Sequence, residues 1–287
     1  MSTAVSARRY TSFGKPLDTS AARLGSLVPT PQTLHGDMAA LHKRYDQHGY
    51  LWLKGILPRE NVLAFRRYYF SVMAEIGVVK PGTDPVLGMY SGTQVKGLPL
   101  QEKRAQIVRS EEYNRLCTHP AIVNFYKAFL KDANPLLLKR KIVRHVEPDS
   151  KDATGAHYDL VYIREGTTKI CTSWIPLGDT PADQGALIYL EGSAAYYVNQ
   201  DRMTNGKQAG WLTTDIPALA SERNLRWLTA DYEAGDMVVH SPFMVHASLD
   251  NTRNDGTMRL STDIRYQPGS EPDDKRWRND WRHDDGL

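Results

Sequence analysis

The stretch Gly235-Asp236-Met237-Val238-Val239-His240-Ser241-Pro242-Phe243-Met244-Val245-His246-Ala247-Ser248, followed by Met258-Arg259-Leu260-Ser261-Thr262-Asp263-Ile264-Arg265-Tyr266, reads as three short strands. A Gly-Asp turn leads into an apolar run, Pro242 breaks it, a second run carries His246 and a third carries Arg259. Working outward, runs rich in β-branched and aromatic residues predict strands over 136–146, 158–163, 169–176, 186–190, 236–240, 244–249 and 258–266. Short strands separated by Gly, Pro and Asp turns predict a mainly β domain, a sandwich or a barrel, with helices ahead of it.

Within this β-rich half, Gly155-Ala156-His157-Tyr158-Asp159 places an imidazole and a carboxylate two positions apart. Side chains alternate on an extended chain, so His157 and Asp159 face one side. With His246 they form a set of two nitrogens and one carboxylate, the ligand set of non-haem Fe(II) sites that keep open coordination positions. A closed structural zinc site needs four protein ligands instead. His240 competes for the distal position. His246 is preferred because Ser248 lies two residues on, and Arg259 follows thirteen residues after it with a planar donor fork suited to a dicarboxylate. Arg259, Ser261 and Asp263 alternate, making one face of their strand polar.

In the order and spacing of these residues the chain resembles the phytanoyl-CoA hydroxylase family of Fe(II)/2-oxoglutarate dioxygenases, including its natural-product hydroxylases. The resemblance rests on His157 and Asp159, Thr172-Ser173-Trp174-Ile175-Pro176-Leu177, Asp183-Gln184-Gly185-Ala186-Leu187, Glu191-Gly192-Ser193, Gly235-Asp236, His246 and Arg259. The opening segment Tyr45-Asp46-Gln47-His48-Gly49-Tyr50-Leu51-Trp52-Leu53 also looks like that family, so the likeness spans roughly residues 35 to 268. Tyr158 departs from the pattern, standing where some members carry a Gln that contacts the cosubstrate.

The resemblance implies a double-stranded β-helix, a cupin-like jelly roll flanked by helices. It implies Fe(II) held by His157, Asp159 and His246, with 2-oxoglutarate and O2 at the open positions and succinate and CO2 as products. Arg259 and Ser248 would take the distal carboxylate of 2-oxoglutarate, and Thr172 and Trp174 would line it. Retention of Asp159 points to hydroxylation or desaturation, since related halogenases carry a small residue there. Homodimerisation is a further expectation from relatives.

The 287 residues suffice for one domain with a substantial core, and 41% hydrophobic with 24% charged residues is ordinary for a folded soluble protein. The division expected is an arm over 1–33, one oxygenase domain over 34–268 and a charged surface tail over 269–287. Within the domain, a helical part over 34–131 precedes a β core over 135–268 that carries an insertion at 195–230. Met38, Leu41 and Tyr45 give one helix a single apolar face; Pro58 opens a second helix, and others are expected over 109–116 and 119–131. The Gly/Pro-rich loop 80–99 and the insertion are candidate lids.

A net charge of +3, from 36 basic and 33 acidic residues, gives no reason to expect a nucleic-acid partner. Two distant cysteines make no disulfide framework, and no apolar run reaches the ~20 residues of a membrane span, so a cytoplasmic small-molecule enzyme is expected. Aromatic and apolar residues in the lid candidates lean toward a mid-sized, largely apolar metabolite of natural-product type. Two other classes compete: a small-molecule-binding module without catalysis on the same fold, and a zinc hydrolase. Succinate release that requires Fe(II) and 2-oxoglutarate separates them, because neither alternative produces it.

Overall fold

A computed structural model describes residues 8–198, 210–282 and Asp284; calls made for 1–7, 199–209 and the last few positions lie outside the described residues. The amino-terminal arm folds back as β1 (Thr11–Ser12), β2 (Lys15–Pro16) and β3 (Leu24–Ser26). Next come α1 (Met38–His48), β4 (Tyr50–Leu53), α2 (Arg59–Ala74), α3 (Leu98–Val108), α4 (Glu111–Cys117) and α5 (Pro120–Phe129). The β-rich half follows: β5 (Leu136–Leu137), β6 (Ile142–Val146), β7 (Cys171–Pro176), β8 (Leu187–Leu190), α6 (Ser193–Tyr197), α7 (Ile216–Arg223), β9 (Trp227–Thr229), β10 (Met237–His240), β11 (His246–Ser248) and β12 (Arg259–Gln267).

Local chemistry sets the helix ends. Asp37 caps α1 by accepting from the Ala40 amide at 3.0 Å, and Gly49, with φ of 77°, ends it in the left-handed conformation that glycine tolerates. Pro58 precedes α2, whose Phe65, Tyr69, Phe70 and Met73 recur on the buried face. The helix α3 was not expected. Its apolar residues are too scattered among Gln, Glu, Lys and Arg to show a stripe.

The larger sheet runs β4-β10-β7-β12, with β5 and β6 both pairing to β12; the smaller runs β11-β8-β9-β3. Neither closes into a barrel, and together they form the jelly roll. Alternation gives the larger sheet two different faces. Leu51, Ile175, Val239 and Ile264 point outward to α2, α4 and α5 in one core, while Tyr50, Trp52, Trp174 and Val238 point inward to Leu187, Tyr189 and Leu228 of the smaller sheet. The rings of Tyr50 and Tyr189 stack across that gap at 5.6 Å. The smaller sheet is backed by Ile216 and Leu219 of α7.

Three expectations are corrected. Residues 158–163 are not a strand: after the extended Tyr158 the chain enters a single 3-10 turn, Asp159–Val161, closed by Tyr162 N to Asp159 O at 3.0 Å. The insertion contributes β9 to the smaller sheet, paired with β8 and, in parallel, with β3 of the arm. The end of the chain is more than a surface tail, since Trp277 is 2% exposed within the core of the smaller sheet. Among the described residues no helix is long and apolar enough to cross a membrane.

The loop 80–99 is fastened by Arg66, whose buried guanidinium donates to the carbonyls of Val86 at 2.7 Å and of Leu177, Leu87 and Met258, each at 3.1 Å. Burial pushes its pKa down to about 10. Four carbonyl acceptors make up for the lost hydration.

Candidate metal centre

His157 and His246 meet where the extended chain at 156–157 pairs with β11 of the smaller sheet. Each donates its amide to the other's carbonyl, His157 N to His246 O at 3.0 Å and the reverse at 2.8 Å. Their rings lie 4.2 Å apart. His157 Nδ1 contacts the Gly155 carbonyl at 2.8 Å and His246 Nδ1 the Met244 carbonyl at 3.0 Å, in each case the residue two positions earlier. A carbonyl only accepts, so both Nδ1 atoms carry the proton and both Nε2 lone pairs stay free. Burial lowers both pKa values, and for His246 the neighbouring imidazoles lower it further, so the rings stay neutral, the form that binds metal.

Asp159 supplies the third donor. One atom each from His157, Asp159 and His246 lie within 4.8 Å of one another, all three residues buried. The Asp159 carboxylate is held entirely by side chains of the larger sheet. Thr172 Oγ1 donates to Oδ2, Arg265 Nη2 donates to Oδ1 at 2.8 Å, and His240 Nε2 lies 3.4 Å from Oδ2. Cross-strand register aligns these three: His240 faces Thr172 and Thr172 faces Arg265, in one inward row. Burial by itself raises the Asp159 pKa, but the Arg265 guanidinium and the imidazoles outweigh it and hold the carboxyl well below its usual range. His240 also pairs through Nδ1 with the Tyr189 hydroxyl at 2.8 Å, which places it behind the carboxylate, not among the three donors.

The donor set fits a divalent metal: two neutral imidazoles with free Nε2 atoms and one ionised carboxylate leave half of an octahedron open. A cavity of about 510 Å³ opens beside it, bounded by Trp174, Leu187, Trp211 and Trp277 on its apolar parts. Gly155 permits this wall, because a Cβ there would stand 2.6 Å from the Trp211 ring.

Arg259 and Ser248 line the cavity. Arg259 is 3% exposed and its Nη1 donates to Ser261; among the described residues its Nε has no hydrogen-bond partner and no carboxylate lies within ion-pair distance. Burial, helped by Arg144, pushes it down to about 10, still cationic at neutral pH. A buried guanidinium without an acid is set up to receive a carboxylate from outside the chain. Ser248 Oγ accepts the Thr154 amide at 2.7 Å and keeps its own proton to donate. Trp174 borders the cavity too, packed edge-on against Tyr232 at 4.9 Å. Thr172 does not line it; contrary to expectation its hydroxyl serves Asp159. Tyr158 packs on Tyr197 at 4.7 Å.

Sequence reasoning passed over Arg265 and Trp277. The signal for Arg265 was present, since it continues the 259, 261, 263 alternation.

The phytanoyl-CoA dioxygenase family profile matches residues 45–259. The 1-deoxypentalenic acid 11-beta-hydroxylase of Streptomyces arenae is 30% identical over 243 residues, 82% of each chain, and that of Streptomyces exfoliatus is 28% identical over the same shares. Among solved structures, the epimerase SnoN from nogalamycin biosynthesis, crystallised with Fe3+ and alpha ketoglutarate, superposes with a TM-score of 0.57 at 23% identity over 82% of this chain and 85% of that one. The carbocyclase SnoK gives 0.58 at 19% identity over 85% and 88%. At these identities the two structures speak for the jelly-roll fold.

Proposed function

Because the chain belongs to the phytanoyl-CoA dioxygenase family, we propose that it is a non-haem Fe(II)/2-oxoglutarate-dependent hydroxylase of a small acidic metabolite of natural-product type. The carrying observation is the convergence of His157, Asp159 and His246 beside a cavity whose buried Arg259 pairs with no acid among the described residues.

His157, Asp159 and His246 would hold Fe(II), and Arg259 with Ser248 would hold the distal carboxylate of 2-oxoglutarate. Bound together, iron and 2-oxoglutarate supply the oxidation of a C–H bond by O2, giving the alcohol, succinate and CO2. The protein's share is placement and exclusion of water. Main-chain bonds at Nδ1 fix both imidazole planes, the carboxylate is clamped from one sheet row, and Trp174 and Leu187 shield the centre.

The rest of the lining supports one substrate class. A cavity of this size accommodates a ligand of drug-like dimensions. Its apolar surface fits the hydrocarbon body expected from the sequence, but Lys96, Arg104 and Arg144 also face it. Arg104 makes no ion pair among the described residues, and its Nε is buried without a hydrogen bond. These cations favour an apolar skeleton bearing a carboxylate, and the relatives' name likewise calls the compound they hydroxylate an acid.

The test is anaerobic loading with Fe(II), then succinate release on adding O2, 2-oxoglutarate and a panel of terpenoid and polyketide acids paired with their methyl esters. Fe(II)- and 2-oxoglutarate-dependent hydroxylation of an acid, with KM at least tenfold higher for its ester, is the expected result. No dependence on either factor would sink the oxygenase reading, and equal use of acid and ester would sink the substrate class.

A further inference from the structure

The segment after β12 lies beyond the family match, which ends at residue 259, yet it reaches the metal centre from two directions. First, it grips the loop that leaves Asp159. Asp274 Oδ2 accepts the amides of Arg164 at 3.0 Å and Glu165 at 3.3 Å, Arg276 Nη2 donates to the Tyr162 carbonyl at 2.9 Å, and Pro272 O accepts the Thr167 amide at 2.7 Å. Second, Trp277 covers the guanidinium on Asp159. Arg265 Cζ sits 4.8 Å from the Trp277 ring centre, and Arg140 Cζ sits 5.5 Å from it. The Trp277 carbonyl accepts the Arg140 amide at 3.2 Å, tying the segment to the strand side of the cavity.

We propose that Arg265 is a positioning residue for Asp159 and that the carboxy-terminal segment 272–277, through Trp277, holds Arg265 in place, so that this segment sets the affinity of the metal centre. The physical ground is that one planar ion pair, fully buried, has its geometry fixed by what lies on its open face. Among the described residues Arg265 Nε and Nη1 have no hydrogen-bond partner, so stacking on Trp277 is what restrains the guanidinium plane. Residues that orient a ligand in this way typically govern 10–100-fold in metal affinity.

The inference rests on the metal reading above, and the experiment separates the two. Co(II) titration of the full chain, followed by its visible d–d absorption, first compares wild type with Asp159→Ala; loss of the one-to-one site in that variant establishes the ligand set. Arg265→Gln, Arg265→Lys, Trp277→Leu and the double variant Arg265→Gln/Trp277→Leu are then titrated alongside. The expected result is about tenfold or more weaker Co(II) binding in Arg265→Gln, with an altered absorption band. Arg265→Lys recovers most of it, and Trp277→Leu loses several-fold in wild type but nothing further in the Arg265→Gln background. Wild-type affinity in Arg265→Gln overturns the proposal, and so does a Trp277→Leu loss that persists in full in the double variant. If Arg265→Gln does not fold, Trp277→Leu decides alone: its charges are intact, so unchanged Co(II) affinity and spectrum overturn the clamp.

Discussion

The two halves of the metal centre are built by different means. His157 and His246 are placed by backbone: a mutual pair of amide bonds joins them, and each Nδ1 is satisfied by the carbonyl two residues before it. Asp159 is placed by side chains, Thr172, His240 and Arg265, lined up across three strands of the larger sheet. Main-chain placement depends little on which residues surround it. Side-chain placement depends on each of them, so the carboxylate half is where substitution should tell.

The largest effect tests the carboxylate itself. Asp159→Ala should abolish 2-oxoglutarate-dependent substrate oxidation, a drop of at least about a thousandfold in product formation, since two imidazoles alone hold an open-site metal poorly. Full activity in that variant breaks the comparison at its root. Arg259→Gln should raise the KM for 2-oxoglutarate about 10- to 100-fold, the loss of a charge-assisted pair worth ~1.5–3 kcal/mol, with a smaller change in kcat. A fall in kcat at unchanged KM would remove Arg259 from cosubstrate binding.

Thr172→Val keeps the β-branched shape and deletes only the donor to Asp159. A loss of about tenfold in Fe(II) affinity is expected, measured by anaerobic titration, and wild-type affinity would show that the carboxylate needs no such help. The smallest effect concerns His145, which sits on β6, is not among the three donors and serves as a control. Burial depresses its pKa, and Tyr69 Oη lies 2.7 Å from its Nδ1. Because the folded pKa lies below the unfolded one, the unfolded chain takes up a proton first as pH falls. Stability from this group is therefore complete above about pH 6.5 and declines below it, by up to ~1.4 kcal/mol per pH unit. Thermal melts of the metal-loaded protein between pH 7.5 and 5.5 should show the decline, and His145→Gln should flatten part of it. An identical slope in the variant assigns the decline to other groups.

The same division explains what the sequence could reveal. His157 and Asp159 were legible because their spacing brings both to one side of an extended chain, and His246 because Ser248 and Arg259 follow it at short distances. Arg259 was legible in turn, lying on the strand after the distal histidine. Arg265 continues the alternation of 259, 261 and 263, but its role and that of Trp277 come from contacts between distant segments, which no local pattern displays. The expected strand at 158–163 failed at Asp159, where burying the carboxylate toward the larger sheet turns the chain into a 3-10 helix against a favourable β propensity. β9 was missed because three residues, Trp227–Thr229, are too few to show alternation, and their strand exists only through the edges of β8 and β3.

The reciprocal amide bonds between His157 and His246 tie off a ring of about ninety residues. Cavity-wall residues inside that ring, such as Trp174, Leu187 and Trp211, can change while the two nitrogens keep their spacing. A lineage carrying such a knot is free to exchange one substrate for another without rebuilding its seat for the metal.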